Sequence, residues 1–105
     1  MDELRKKLLA NKDDLAKGTF CYALFEEGYF NESQPLALVS DIKRFFKLLK
    51  GDDREMGKLL LWIIESVDQC FASHREKDDL FYIMNYSPDI EATWCNDWKI
   101  DIMKY

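Results

Sequence analysis

The amino-acid sequence predicts a mainly α-helical fold, a compact bundle of about five helices in a single domain spanning residues 1–105, with a C-terminal β-hairpin as the alternative ending. Three observations carry this expectation. Apolar residues recur at helical spacing through two long stretches, 35–49 and 56–74. Helix-start residues stand directly in front of apolar runs at Thr19, Asp52 and Ser87. Finally, 48% of the residues are hydrophobic against only four Gly and two Pro, so there is apolar material for one core and little of the composition that keeps a chain disordered.

In chain order, residues 2–16 place Leu4, Leu8 and Leu15 on one stripe with Leu9 beside it, and Gly18 is the natural stop of a first helix. Thr19 caps a second, FCYALFEEGYF, in which Phe20, Cys21, Leu24, Phe25 and Gly28 share a face; the aromatic content also suits a strand. NESQP is a turn, and Pro35 sits in the first turn of a third helix, where its missing N–H costs nothing. Leu38, Val39, Ile42, Phe45, Phe46 and Leu49 form its apolar stripe, opposite Lys43, Arg44, Lys47 and Lys50. Gly51 ends that helix. Asp52 opens the next, with Glu55 three residues on as in a capping box, and the apolar repeat runs from Met56 through Leu59, Leu60, Ile63, Val67, Cys70 and Phe71 to His74.

After the polar REKDD, LFYIMNY reads equally as helix or strand. Ser87-Pro88-Asp89 is a helix start, and Ile90, Trp94, Trp98 and Ile102 repeat every four residues behind it. Trp98, Ile100 and Ile102 also alternate as a strand does, so the preferred helix ends near Trp98 and the hairpin stays open.

Charge and cysteine usage narrow the chemistry. The net charge is −5, with nine Lys/Arg against eight Asp/Glu in residues 1–51 but six against twelve in residues 52–105. An acidic surface repels phosphate backbones and attracts basic partners, which argues against nucleic acid as a ligand. Cys21, Cys70 and Cys95 are odd in number and far apart, which fits reduced thiols in a cytoplasmic protein better than a disulfide framework or a zinc ribbon. The N-terminal MDELRKKLLANKDD lacks the apolar core of a secretory signal, and no run approaches the ~20 residues that span a bilayer, so no membrane role is expected.

Candidate catalytic groups do not assemble into a role set. Cys70 and His74 fall one helical turn apart, and with Cys21 or Cys95 they would make an incomplete zinc site; the same face carries Val67 and Phe71, and a core thiol beside a helix-end histidine explains it without metal. There is no nucleophile elbow or phosphate-cradling loop, so neither an enzyme nor a cofactor is expected. The acidic doublets Asp13/Asp14, Asp52/Asp53 and Asp78/Asp79 read as solvated faces or helix starts, because neighbours on a helix point about 100° apart. Glu26/Glu27 differ in lying within an aromatic segment beside Tyr29. Residues 78–105 interleave six aromatics with six acids, and Trp and Tyr dominate the energetics of protein interfaces, although Trp94 and Trp98 also suit a role in pinning the last element to the core. A protein-binding surface is therefore expected among Glu26, Glu27, Tyr29, Asp89, Trp94, Asp97, Trp98 and Asp101.

The stretches FCYALFEEGYF and SPDIEATWCNDWKIDIMKY, in a short acidic chain without a catalytic motif, resemble in general character the immunity proteins of bacterial polymorphic-toxin and contact-dependent growth-inhibition systems. That resemblance implies a protein that binds a cognate toxin, often a basic nuclease, and occludes its active site, with carboxylates standing in for phosphate. It transfers no individual residue. The alternative is a helical regulatory adaptor or a homodimeric interaction module.

Overall fold

A computed structural model describes residues 2–13, 16–76 and 81–105. Helix α1 (Asp2–Leu9) continues into a 3-10 turn (Ala10–Lys12), followed by α2 (Phe20–Phe25), α3 (Ser33–Leu48) and the long α4 (Arg54–Arg75). A C-terminal helix over 88–103 is α-helical in α5 (Pro88–Thr93), π-helical over Trp94–Trp98 and α-helical again in α6 (Lys99–Met103). There is no strand among the described residues, so the C-terminal hairpin is corrected to a helix that runs past Trp98.

Helix α4 is the axis of the bundle. Its 22 residues span about 33 Å at 1.5 Å per residue, and α1, α2 and α6 all contact it. Met56, Leu59, Leu60, Ile63, Val67 and Phe71 line its buried side, as the periodicity predicts, while Leu61 on the opposite side is exposed. On α3 the stripe buries Leu38, Ile42 and Phe45, leaving Lys43, Arg44, Lys47 and Lys50 in solvent. These residues join Leu8, Leu24, Phe30, Ile83 and Trp94 in one core cluster.

Local chemistry sets the helix ends. Thr19 Oγ1 accepts from Tyr22 N–H at 3.0 Å, and Ser87 Oγ accepts from Ile90 N–H at 3.1 Å in front of Pro88, as their positions predict. Asn31 Oδ1 accepts from both Ser33 N–H and Ser33 Oγ ahead of α3. The first helix is shorter than its leucine stripe implied. Asn11 is the reason: its Nδ2 donates to the Leu8 carbonyl and its Oδ1 accepts from Cys21 N–H, so a buried amide turns the chain toward α2. Leu15 lies outside the described residues.

The cap of α4 is Asp53 rather than Asp52. Asp53 Oδ1 accepts from Met56 N–H at 3.0 Å and the same carboxylate pairs with Arg5 of α1 at 2.9 Å; Glu55 turns to Arg5 instead of closing a capping box. Arg5, and then the Met56 N–H, hold the Asp53 carboxyl below its ordinary range. A depressed folded-state carboxyl stabilises above its unfolded value and ceases to as pH falls through the folded one. Asn caps a helix as well as Asp does, so Asp53→Asn is expected to lose only the pairing with Arg5, about 0.5 kcal/mol at neutral pH, with the difference from wild type shrinking below about pH 4 in urea titrations.

The last helix explains its own sequence period. An α-helix turns about 100° per residue, so a four-residue repeat drifts about 40° per step and about 120° between Ile90 and Ile102. The π turn, closed by Lys99 N–H donating to the Trp94 carbonyl, adds one residue and takes back about 100° of that drift. Ile90, Trp94, Trp98 and Ile102 are all buried as a result.

The apolar LFYIMNY run is neither helix nor strand over its described residues 81–86. It packs as a strap against the chain that leaves α2. Gly28 is not on the α2 face but follows its end with φ +65°, and a Cβ there would stand 3.0 Å from the Tyr82 carbonyl oxygen. Met84 N–H donates to the Gly28 carbonyl at 2.7 Å, while Asn85 brackets Phe30, accepting from its N–H and donating to its carbonyl. Glycine is needed there for both reasons, the left-handed backbone and the close approach.

Candidate functional site

The eight residues expected at a binding surface separate by depth. Glu26, Glu27 and Tyr29 lie together and exposed on the turn that ends α2, and the strap places the exposed Tyr82 and Met84 beside them. Neither glutamate side chain has an ion pair or hydrogen bond among the described residues. Trp94 and Trp98 are corrected to core residues, 0% and 7% exposed. The Trp94 indole N–H donates to Asp68 at 2.8 Å, and Trp98 stacks on Phe30 at 5.7 Å, directly behind the Tyr29 turn. These rings support the surface from beneath. Asp89 and Asp97 are exposed on the C-terminal helix, and Asp101 is half-buried and paired with Lys104 at 3.1 Å.

Beside the Glu26 turn runs an open apolar trough of about 390 Å³ along one side of α4. Phe25, Trp62, Cys70 and Phe81 make its walls, with Phe25 and Trp62 edge-to-face at 5.6 Å. Glu65, Ser66, Gln69 and Ser73 form the polar margin. Phe25 and Trp62 also wall a smaller hollow of about 100 Å³ that reaches Glu26, Lys12 and Asp13. The trough is absent from the sequence-based expectation, whose helix-four stripe passes over Trp62. A signal was present in the spacing: Trp62, Ser66, Gln69 and Ser73 recur at i, i+4, i+7 and i+11, a helical stripe of small polar residues headed by one aromatic.

The Cys21 and Cys70 thiols and the His74 imidazole are committed to structure, while Cys95 is exposed. Burial pushes both the Cys21 and the Cys70 thiols up to about 12, so each is protonated and weakly nucleophilic at neutral pH. His74 Nδ1 accepts from Ile83 N–H at 2.9 Å, and its ring stacks on Tyr86 with centroids 4.2 Å apart. Tyr86 Oη donates to Glu91 at 2.7 Å and Glu91 also pairs with Arg75, so this network braces the strap between α4 and α5. The Tyr86 hydroxyl is held above its ordinary range, chiefly by that hydrogen bond to Glu91. Among the described residues no three His, Cys, Asp or Glu converge as a metal set. Asp14, Asp78 and Asp79 lie outside the described residues.

No helix of the described residues is long and apolar enough to cross a membrane. Compared with known proteins, the chain matches no family model, no curated protein and no solved structure.

Proposed function

We propose that this chain is an immunity-type protein that binds a basic toxin domain, a nuclease in the reading the sequence favours, and blocks its active site with the Glu26–Tyr29 turn. The observation that carries this reading is the pair of exposed carboxylates at Glu26 and Glu27, unpaired among the described residues and flanked by exposed Tyr29 and Tyr82. Free carboxylates steer a basic partner and accept charge-assisted hydrogen bonds from Arg or Lys, where a substrate phosphate would otherwise sit. Tyrosine supplies contact area at small entropic cost. The turn is also rigid, because the Gly28 carbonyl and both polar groups of the Phe30 backbone are tied to the strap. Less ordering entropy then has to be lost on binding.

The test pairs the chain with a basic toxin domain encoded beside its gene. Co-purification and inhibition by the wild type are expected, and the double charge reversal Glu26→Lys/Glu27→Lys should weaken binding at least ~100-fold without moving the urea midpoint. Toxin activity that excess wild-type protein leaves unchanged would sink the reading. A second reading, a regulatory adaptor or homodimer, draws on the exposed apolar side chains of Leu36, Leu61, Ile100 and Met103. Sedimentation as a monomer at high concentration would count against the homodimer.

A further inference from the structure

We infer that the trough beside Trp62 receives a basic amphipathic helix of the partner, with one or two apolar side chains seated between Trp62 and Phe81 and Lys or Arg at its margins. This rests on reading the chain as a protein-binding domain, and it adds a second contact to the Glu26 turn.

The walls dictate an apolar occupant. Phe25, Trp62 and Phe81 are each only partly buried although packed against the core, so their outward faces gain from being covered. About 390 Å³ holds one or two large side chains and lies near the lower end of ordinary binding pockets. From Trp62 to Ser73 the trough follows α4 for about 16 Å, or three helical turns, which matches the length of a short helix laid alongside. Addition of a strand is disfavoured, since the described residues offer no sheet edge to extend.

Charge selects among apolar helices. Among the described residues, Glu65 stands at the margin of the trough, and Glu26 lines the adjoining hollow alongside Lys12. Glu65 is exposed at the margin and has no ion pair among the described residues. An approaching helix that carries Lys or Arg beside its apolar residues is therefore favoured over an acidic one of the same pattern.

The probe is a synthetic helix of about 14 residues with Leu and Phe spaced i, i+4 on a Lys/Arg background, titrated against the full chain. Trp62 is the partly exposed tryptophan while Trp94 and Trp98 are buried, so docking should change the emission of Trp62. Saturable binding is expected, at least ~10-fold weaker to Ser66→Trp, which fills the trough, and to Glu65→Lys, which reverses its margin; the second variant decides if the first does not fold. A Glu-background peptide of the same apolar pattern should bind at least ~10-fold more weakly than the basic one. No binding, equal affinity for wild type and both variants, or equal binding of the acidic peptide would each overturn the assignment. Toxin neutralisation that survives Ser66→Trp and Glu65→Lys undiminished removes the trough and leaves the immunity reading standing. Peptide docking without inhibition of the adjacent toxin does the reverse.

Discussion

Trp94→Ala is expected to remove about 4 kcal/mol of folding stability, a large share of the 5–15 kcal/mol typical of a domain. Two terms add in this one side chain, and its place at the π turn adds a third effect. The indole is 0% exposed and tilts against Phe20 with centroids 6.5 Å apart, so its removal opens a cavity rather than a dent. Its N–H also satisfies Asp68, whose other oxygen pairs with Lys99 at 2.7 Å. Alanine would strip that carboxylate of one of its two partners among the described residues while α6 still depends on it. Lastly, Trp94 supplies the carbonyl that closes the π turn, so collapse of the cavity would pull on the register of the whole last helix. Urea unfolding followed by far-UV circular dichroism measures the loss, and a change below about 1 kcal/mol would show that Trp94 is not the core residue its burial implies. Trp94→Phe keeps much of the ring and forfeits the hydrogen bond, and should cost about 1–2 kcal/mol.

Phe30→Ala is expected to cost about 3–5 kcal/mol and to free the strap as it does so. Phe30 is 0% exposed and meets Phe20 edge-on at 5.1 Å, Phe71 at 5.8 Å and Trp98 in a stacked pair at 5.7 Å. Such ring pairs add to the area term. Its backbone is the piece that Asn85 brackets, so the side chain anchors in the core the segment that positions Tyr29. Hydrogen exchange should register this locally: the Met84 amide, bonded to Gly28, and the Ile83 amide, bonded to His74, should lose protection beyond the global change. Unaltered protection at those two amides, relative to the global loss, would mean that the strap is held by His74 and Tyr86 rather than from Phe30.

How much of this was legible beforehand follows the range of the interactions. The α3 and α4 stripes, the Thr19 and Ser87 caps and Pro35 in the first turn were readable because each depends on neighbours within about four residues. The shift of the α4 cap from Asp52 to Asp53 lies far past that horizon, since it is Arg5 of α1, 48 residues away, that engages the Asp53 carboxylate. The early end of α1 follows from Asn11 reaching Cys21, ten residues on. The site was half visible: an acidic pair among aromatics marked Glu26, Glu27 and Tyr29, but nothing local distinguished an outward Tyr29 from an inward Trp98.

By itself, then, the sequence determined a helical chain: where most of its helices begin, which stripes of α3 and α4 are buried, and where its excess of negative charge lies. Even the π turn was latent in the four-residue spacing of Ile90, Trp94, Trp98 and Ile102, a period that a regular α-helix cannot keep on one face. Only the tertiary structure decided which aromatic rings face solvent, what 81–86 becomes and that a trough opens beside Trp62. The reason is physical. A helix closes its backbone hydrogen bonds within itself, whereas the strap's bonds run to Gly28, Phe30 and His74, as many as 56 residues away along the chain, and the trough exists only where α2, α4 and the strap meet.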